Sequence, residues 1–289
     1  MRDADFKSLA VGFFDGVHLG HQAILKGAAA ALTFRSHPLS VLAPERAPRL
    51  LMDLEARLAA IRACGVREVV ALDLTPELAR LSPEEFLAEA KISPRTEIRC
   101  GSNWRFGRGG AGDAEWLRAR GQPVTVVPSV LHRGETVSST RIRAALERGE
   151  VADANAMLGR SFEVRGTPFA GKGEGSRIGR PTLNLSLDSL NVRLPLGAYA
   201  VEVGGARAVA NYGLAPTFGA RAWERPVLEV HFLGQMPEAQ DGPRAVRFLR
   251  FLRPERRFDS VDELKAQIDR DCAEASRTGS GKCGIISPI

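Results

Sequence analysis

Apolar and polar positions follow one rhythm in the first half of this chain and another in the second. Apolar runs of strand length fall at 8–13, 30–34, 68–72, 97–100 and 123–128. Between them the spacing becomes three to four residues and predicts helices: a short one after Gly20, an amphipathic one over 53–64, one opened by Ser82-Pro83-Glu84-Glu85, and one over 112–120. Strand and helix in alternation predict a parallel, doubly wound sheet with ligands at the C-terminal strand ends. Past Gly149 the texture changes. From 162 to about 251, short runs such as YAVEV from Tyr199 and VLEVHF from Val227 are broken by Gly, Pro and Asn, as in an antiparallel barrel or sandwich. A last helix is expected over 260–276, with Ser260 as N-cap and Glu263 three residues on.

At 289 residues the chain is long enough for two cores. The expected organisation is an α/β domain over 1–150, a β domain over 158–277 and a flexible tail at 278–289 rich in Gly and Ser. No apolar run reaches the ~20 residues of a membrane helix, and the N-terminus mixes acids with its bases, so cytoplasmic residence is expected. Cys64, Cys100, Cys272 and Cys283 are scattered without metal-like spacing and read as reduced thiols. The net charge of +6 suits anionic partners, nucleotide or nucleic acid, without choosing between them. Arginines at 244, 247, 250, 253 and 256 recur every third residue, yet no series of stacking aromatics accompanies them, so nucleic acid is not the expected partner.

The stretch GFFDGVHLGH, 12–21, places a glycine turn between a strand and a helix start. Gly16 and Gly20 permit close approach to phosphate, and His18 and His21 can face the same oxygens. Taken alone, the stretch reads first as a βα turn that happens to hold two histidines. The run VSSTRIR, 137–143, follows the last strand of the sheet and leads into a helix, and GSNWRFG, 101–107, is a further strand-end loop. Ser138 as a plain N-cap is the local alternative. In the second half, GKGEG at 171–175 and GRPTLN at 179–184 bring a glycine-rich flap beside Thr182 and Asn184, whose oxygens can share Mg²⁺. Glu229 interrupts an apolar strand, where a carboxylate needs either a partner or a task such as general base; an outward glutamate paired with arginine is the alternative.

Taken in order, GxFDGxHxGH, FxxHP (34–38), GxxxRFG and SSTRIR resemble the N-terminal module of bacterial bifunctional riboflavin kinase/FAD synthetases. GKGEGSRIGRPTLN, NYGLAPTF (211–218), LEVHF and FLRPERRFDSVDELKAQIDRD (251–271) resemble their riboflavin kinase module. The resemblance implies a Rossmann-like nucleotidyltransferase domain followed by a six-stranded antiparallel barrel with a C-terminal helix. It implies phosphorylation of riboflavin to FMN and then adenylylation to FAD, with ATP and Mg²⁺; a kinase whose first module only binds nucleotide or flavin is the alternative. In the first module it places ATP on Phe13, Asp15, Gly16, His18, Gly20, His21, Ser138, Ser139, Thr140 and Arg141, with His18, His21 and Arg141 acting in catalysis. Flavin contacts fall to His37, Asn103, Arg105 and Phe106. In the second module ATP lies on Gly171, Lys172, Gly173, Gly175, Thr182 and Asn184, the last two holding Mg²⁺. Glu229 deprotonates the ribityl hydroxyl, and Arg253 belongs to a loop closing on the flavin. The chain departs from the family pattern at Arg35-Ser36, Asn103-Trp104, Arg180 and Leu183, and only twelve residues separate His21 from Phe34, which predicts a stubby first helix.

Overall fold

A computed structural model describes residues 6–170, 182–187, 192–216, 224–237 and 242–277. By internal contacts the chain divides into two compact units, Met1–Ser139 and Thr140–Ile289. The first holds five parallel strands, β1 (Ser8–Val11), β2 (Ala30–Phe34), β3 (Glu68–Leu72), β4 (Glu97–Gly101) and β5 (Val124–Val127), in the order β3-β2-β1-β4-β5. That is the doubly wound arrangement expected from the alternation of periods. Its chain reverses direction across the sheet between β1 and β4, and such a switch point opens a crevice at the C-terminal strand ends.

Period two assigns the two faces. Leu9, Val11, Leu32, Ile98 and Cys100 join Phe86 of α5 (Pro83–Glu89) and Leu117 of α6 (Ala114–Arg118) in one core. Ala10 and Ala31 point the other way, onto Leu25 of α1 (Leu19–Leu25) and Ile61 of α3 (Leu54–Ala63). The small side chains on that face let the short α1 lie close to the sheet. Its seven residues fit the abbreviated crossover. The Asp53 carboxylate caps α3 by accepting the Ala56 N–H at 2.7 Å, a bond worth about 1 kcal/mol. Ser82 and Glu85 form a reciprocal capping box on α5. α6 is shorter than predicted because Asp113 caps it and the chain turns at Gly121 (φ 79°). Two short helices, α2 (Leu39–Leu42) and α4 (Pro76–Arg80), and the hairpin of β6 (Leu131–His132) with β7 (Glu135–Thr136) were not anticipated.

In the second unit, six strands close an antiparallel barrel in the order β10-β11-β12-β9-β8-β13: β8 (Phe162–Phe169), β9 (Leu183–Ser186), β10 (Gly197–Val203), β11 (Ala206–Pro216), β12 (Glu224–Phe232) and β13 (Arg244–Pro254). The interior is aromatic: the Tyr199 ring lies 5.3 Å from Phe248 and 5.0 Å from Phe251. Two bulges in the β10–β13 ladder explain the arginine period of three, since each adds one residue to β13 and keeps Arg247, Arg250 and Arg253 opposite Glu202, Ala200 and Ala198 on the outer face. These arginines are not an open basic stripe. Arg247 pairs with Glu163 and Glu202, Arg250 with Glu274, Arg253 with Asp271 and Arg256 with Glu263.

The C-terminal helix α9 (Val261–Arg277; α7 and α8 are introduced below) packs its Cys272 and Ala275 on Ala200, Val209 and Leu249 of that outer face. Ser260 Oγ accepts the Glu263 N–H, while the Glu263 carboxylate reaches back to the N–H of Asp259 rather than of Ser260. Before the barrel come α7 (Ser139–Glu147) and α8 (Val151–Leu158), the latter absent from the sequence reading. Asn155 of α8 donates to the Phe248 carbonyl and accepts the Phe162 N–H, which ties the helix to β13 and β8 and explains why it groups with the barrel. The tail over 278–289 lies outside the described residues.

Candidate active sites

In the first unit the turn after β1 takes an unusual backbone path. Phe14, Gly16 and Val17 all have positive φ (59°, 78° and 40°), a region costly for the two with side chains. Burial of Phe14 and Val17, each 1% exposed, holds them there. The path delivers His18 to the N-cap of α1, where its Nδ1 accepts the His21 N–H at 3.3 Å. With Nδ1 accepting, the neutral His18 ring carries its proton on Nε2. The two imidazoles stack at 3.6 Å and 19°. At Gly20 a Cβ would come within 3.2 Å of the His18 ring and crowd it. Burial, and then the neighbouring His18, hold the His21 pKa well below its usual value, so this ring is neutral at pH 7. His21 Nδ1 is buried and has no hydrogen-bond partner among the described residues.

Asp15 is buried, and its Oδ1 accepts the Leu51 N–H at 2.9 Å. Its carbonyl accepts the Ser139 hydroxyl at 2.8 Å, which joins the first residue of α7 to the histidine turn. Thr140 and Arg141 follow Ser139 directly in the chain.

Beside this turn, a cleft of about 310 Å³ opens at the ends of β1 and β2, lined by Phe13, Phe34, Pro38, Leu42, Leu74, Leu78, Phe86, Trp104, Arg105 and Phe106 among others. Of the four residues predicted for flavin, Arg105 and Phe106 line it. Asn103 is exposed on the loop after β4. His37 stands behind Phe13, its ring edge-on at 4.8 Å, with Nδ1 accepting the Leu39 N–H. Trp104 stacks on Phe106 at 4.7 Å and 17°, so this departure from the family pattern adds aromatic surface. Leu42, Leu74 and Leu78 were missed because they belong to α2, α4 and the turn before it.

In the barrel, Thr182 directly precedes β9, and Asn184 is paired across the ladder with Glu229 of β12, which is paired in turn with Asn211 of β11. Directly opposed residues share a face, with Cβ atoms about 5 Å apart. Leu228 and Val230 are fully buried inside the barrel, so Asn184, Glu229 and Asn211 form a row on its outer surface. Glu229 is exposed, which corrects the expectation of a desolvated carboxylate: the alternation along β12 turns it to solvent. Gly171, Lys172, Gly173 and Gly175 lie outside the described residues. Arg253 is not on a loop but near the end of β13, where Nε and Nη2 bind the buried carboxylate of Asp271 at 2.8–3.1 Å.

A parallel sheet with a histidine-bearing turn at its switch point, followed in the same chain by a six-stranded barrel with a polar row on its wall, fits one two-domain class, a nucleotidyltransferase-type domain with a kinase-type barrel. The family models for FAD synthetase and riboflavin kinase match residues 2–141 and 158–278. The chain is 32% identical to the bifunctional riboflavin kinase/FMN adenylyltransferase of Bacillus subtilis, over 93% of this chain and 91% of that protein. It is 34% identical to the Escherichia coli K12 protein so described, over 91% and 90%. A Streptococcus pneumoniae crystal structure described as a macrolide-efflux protein superposes with a TM-score of 0.84 at 29% identity, covering 96% of both chains. This chain belongs to the bifunctional riboflavin kinase/FMN adenylyltransferase family. Among the described residues, no helix is long and apolar enough to cross a membrane.

Proposed function

We propose that the chain converts riboflavin to FMN on the barrel and FMN to FAD on the parallel sheet, using ATP twice and residing in the cytoplasm with its substrates. In the kinase step Glu229 accepts the proton of the ribityl 5′-hydroxyl as its oxygen attacks the γ-phosphorus and ADP leaves. Thr182 and Asn184 present two neutral oxygens on the face that carries Glu229, a donor set that fits Mg²⁺. Bound there, Mg²⁺ would supply charge neutralisation of the ATP phosphates.

In the adenylylation step the FMN phosphate attacks the α-phosphorus and pyrophosphate leaves. Ser139, Thr140 and Arg141 hold the triphosphate, and His18 and His21 donate hydrogen bonds where charge builds on the transferring group. A neutral His21 suits this, since two stacked imidazolium ions would repel. The aromatic cleft takes the isoalloxazine, with Arg105 at its edge.

The observation that carries the reading is the presence, in one chain, of the His18–His21 stack beside an aromatic cleft and of the Asn184–Glu229 row beside Thr182. Riboflavin, ATP and Mg²⁺ incubated with the purified chain are expected to yield FMN first and FAD later on chromatography. FMN without FAD leaves the first module as a binding module only. Neither product sinks the proposal.

A further inference from the structure

Arg57 lies in none of the motifs, yet it is the largest fully buried side chain described, 0% exposed on α3. A buried guanidinium is expensive unless its charge is met, so its surroundings indicate its task. Nη2 donates to the carbonyls of Phe34 at 2.6 Å and Arg35 at 2.9 Å, where β2 ends and the chain turns toward His37-Pro38. The guanidinium carbon stands 3.9 Å from the centroid of the Phe13 ring. Nε and Nη1 have no hydrogen-bond partner among the described residues, which leaves the ring face and the nearby Asp15 carboxylate to balance the charge. One side chain thus grips Phe13 at the end of β1 and the carbonyls at the end of β2. Phe13, Phe34 and Pro38 are three of the cleft-lining residues.

We infer that Arg57 is the positioning residue of the flavin cleft: it clamps Phe13 and the end of β2 into one wall and so sets the affinity for FMN without touching it. The inference rests on the reading of this cleft as the FMN site. A planar cation suits the place, because the group that donates from Nη2 to two carbonyls must also lie flat over a ring. Lysine keeps the charge and enough N–H donors on one nitrogen for both carbonyls, but loses the flat guanidinium that lies over the Phe13 ring. A residue that merely fills the core would, on removal, lower stability and reduce every adenylylation parameter together.

The test uses the full chain with Arg57→Met and Arg57→Lys, measuring FAD formation against FMN and ATP concentration and, separately, FMN formation from riboflavin. Arg57→Met is expected to raise KM for FMN about tenfold, with KM for ATP and kcat changed less than about twofold and kinase activity intact. Arg57→Lys should fall between it and the parent chain. If Arg57→Met proves insoluble, the lysine variant carries the test, with a raised KM for FMN and an unchanged melting temperature as the expected result. An unchanged KM for FMN, or a fall in kcat with both KM values fixed, overturns the inference alone. If the parent chain forms no FAD, the reading of the cleft fails and the inference fails with it.

Discussion

Asp271→Asn removes one charge and almost no volume, which makes it a clean probe of why Arg253 points where it does. The Asp271 side chain is 4% exposed and that of Arg253 20% exposed. The carboxylate accepts from Arg253 Nε at 3.0 and 3.1 Å, from Nη2 at 2.8 Å and from Gln267 Nε2 at 2.7 Å. An asparagine keeps one acceptor, but its NH₂ must then face an N–H donor, and the guanidinium loses its counter-charge. Breaking a buried pair costs about 3–5 kcal/mol, and the partial exposure of Arg253 reduces this to roughly 2–3 kcal/mol. For a unit of this size about 1 kcal/mol moves the melting temperature by ~2–4 °C, so a fall of roughly 5–10 °C is expected. Thermal melts by circular dichroism, with residual riboflavin kinase activity after heating, read the effect. A melting temperature within about 1 °C of the parent chain, together with a raised KM for riboflavin, would refute the structural role and return Arg253 to flavin contact.

Four further outcomes are expected. Glu229→Gln should reduce FMN formation at least about 100-fold and leave FAD formation from supplied FMN within about twofold, measured by chromatography. His21→Ala should do the reverse, with a loss of about 100-fold in FAD formation at an intact kinase rate. Because burial holds the His21 pKa below its unfolded value near 6.5, the unfolded state binds the proton first; its contribution is complete above about pH 6.5 and declines as pH falls below it. The melting temperature should therefore drop more from pH 7 to 5 than in His21→Phe, and parallel profiles would contradict this. Gly197→Ala should prevent soluble folding, judged by yield, because φ is 149° and the new Cβ would lie 2.1 Å from the Arg253 carbonyl where β10 meets β13.

The sequence patterns located β2 and β3 to the residue, because the apolar stretch after Gly27 ends at Arg35 and VVAL, 69–72, stands between Glu68 and Asp73. Capping chemistry placed α5 and α9 equally well, since Ser82 and Ser260 announce their helices. The elements that escaped carry no such local signature. α8 (VADANAML) is apolar on most sides and reads as neither period, and its position depends on Asn155 finding Phe248, 93 residues away. Arg57 escaped for a related reason. In the sequence it is one arginine on an amphipathic helix, and only the close approach of β1 and β2 to α3 turns it into a buried clamp.

Glu229 shows where a pattern can be right about a residue and wrong about the physics. The apolar neighbours suggested a carboxylate that would be costly to desolvate without a partner or a task, whereas period two sends Leu228 and Val230 inward and Glu229 out, as in the outward-facing alternative. An exposed carboxylate gains nothing from desolvation until substrate covers it. Its fitness as a base must then come from place: the antiparallel register sets it opposite Asn184, two residues from Thr182, so the groups proposed to hold the phosphates and the group that takes the proton are fixed by the same ladder. A one-residue slip of β9 against β12 would turn Asn184 into the barrel and separate them. The proposed arrangement is thus held by the hydrogen bonds of the sheet, in a register that keeps Leu185 fully buried inside the barrel.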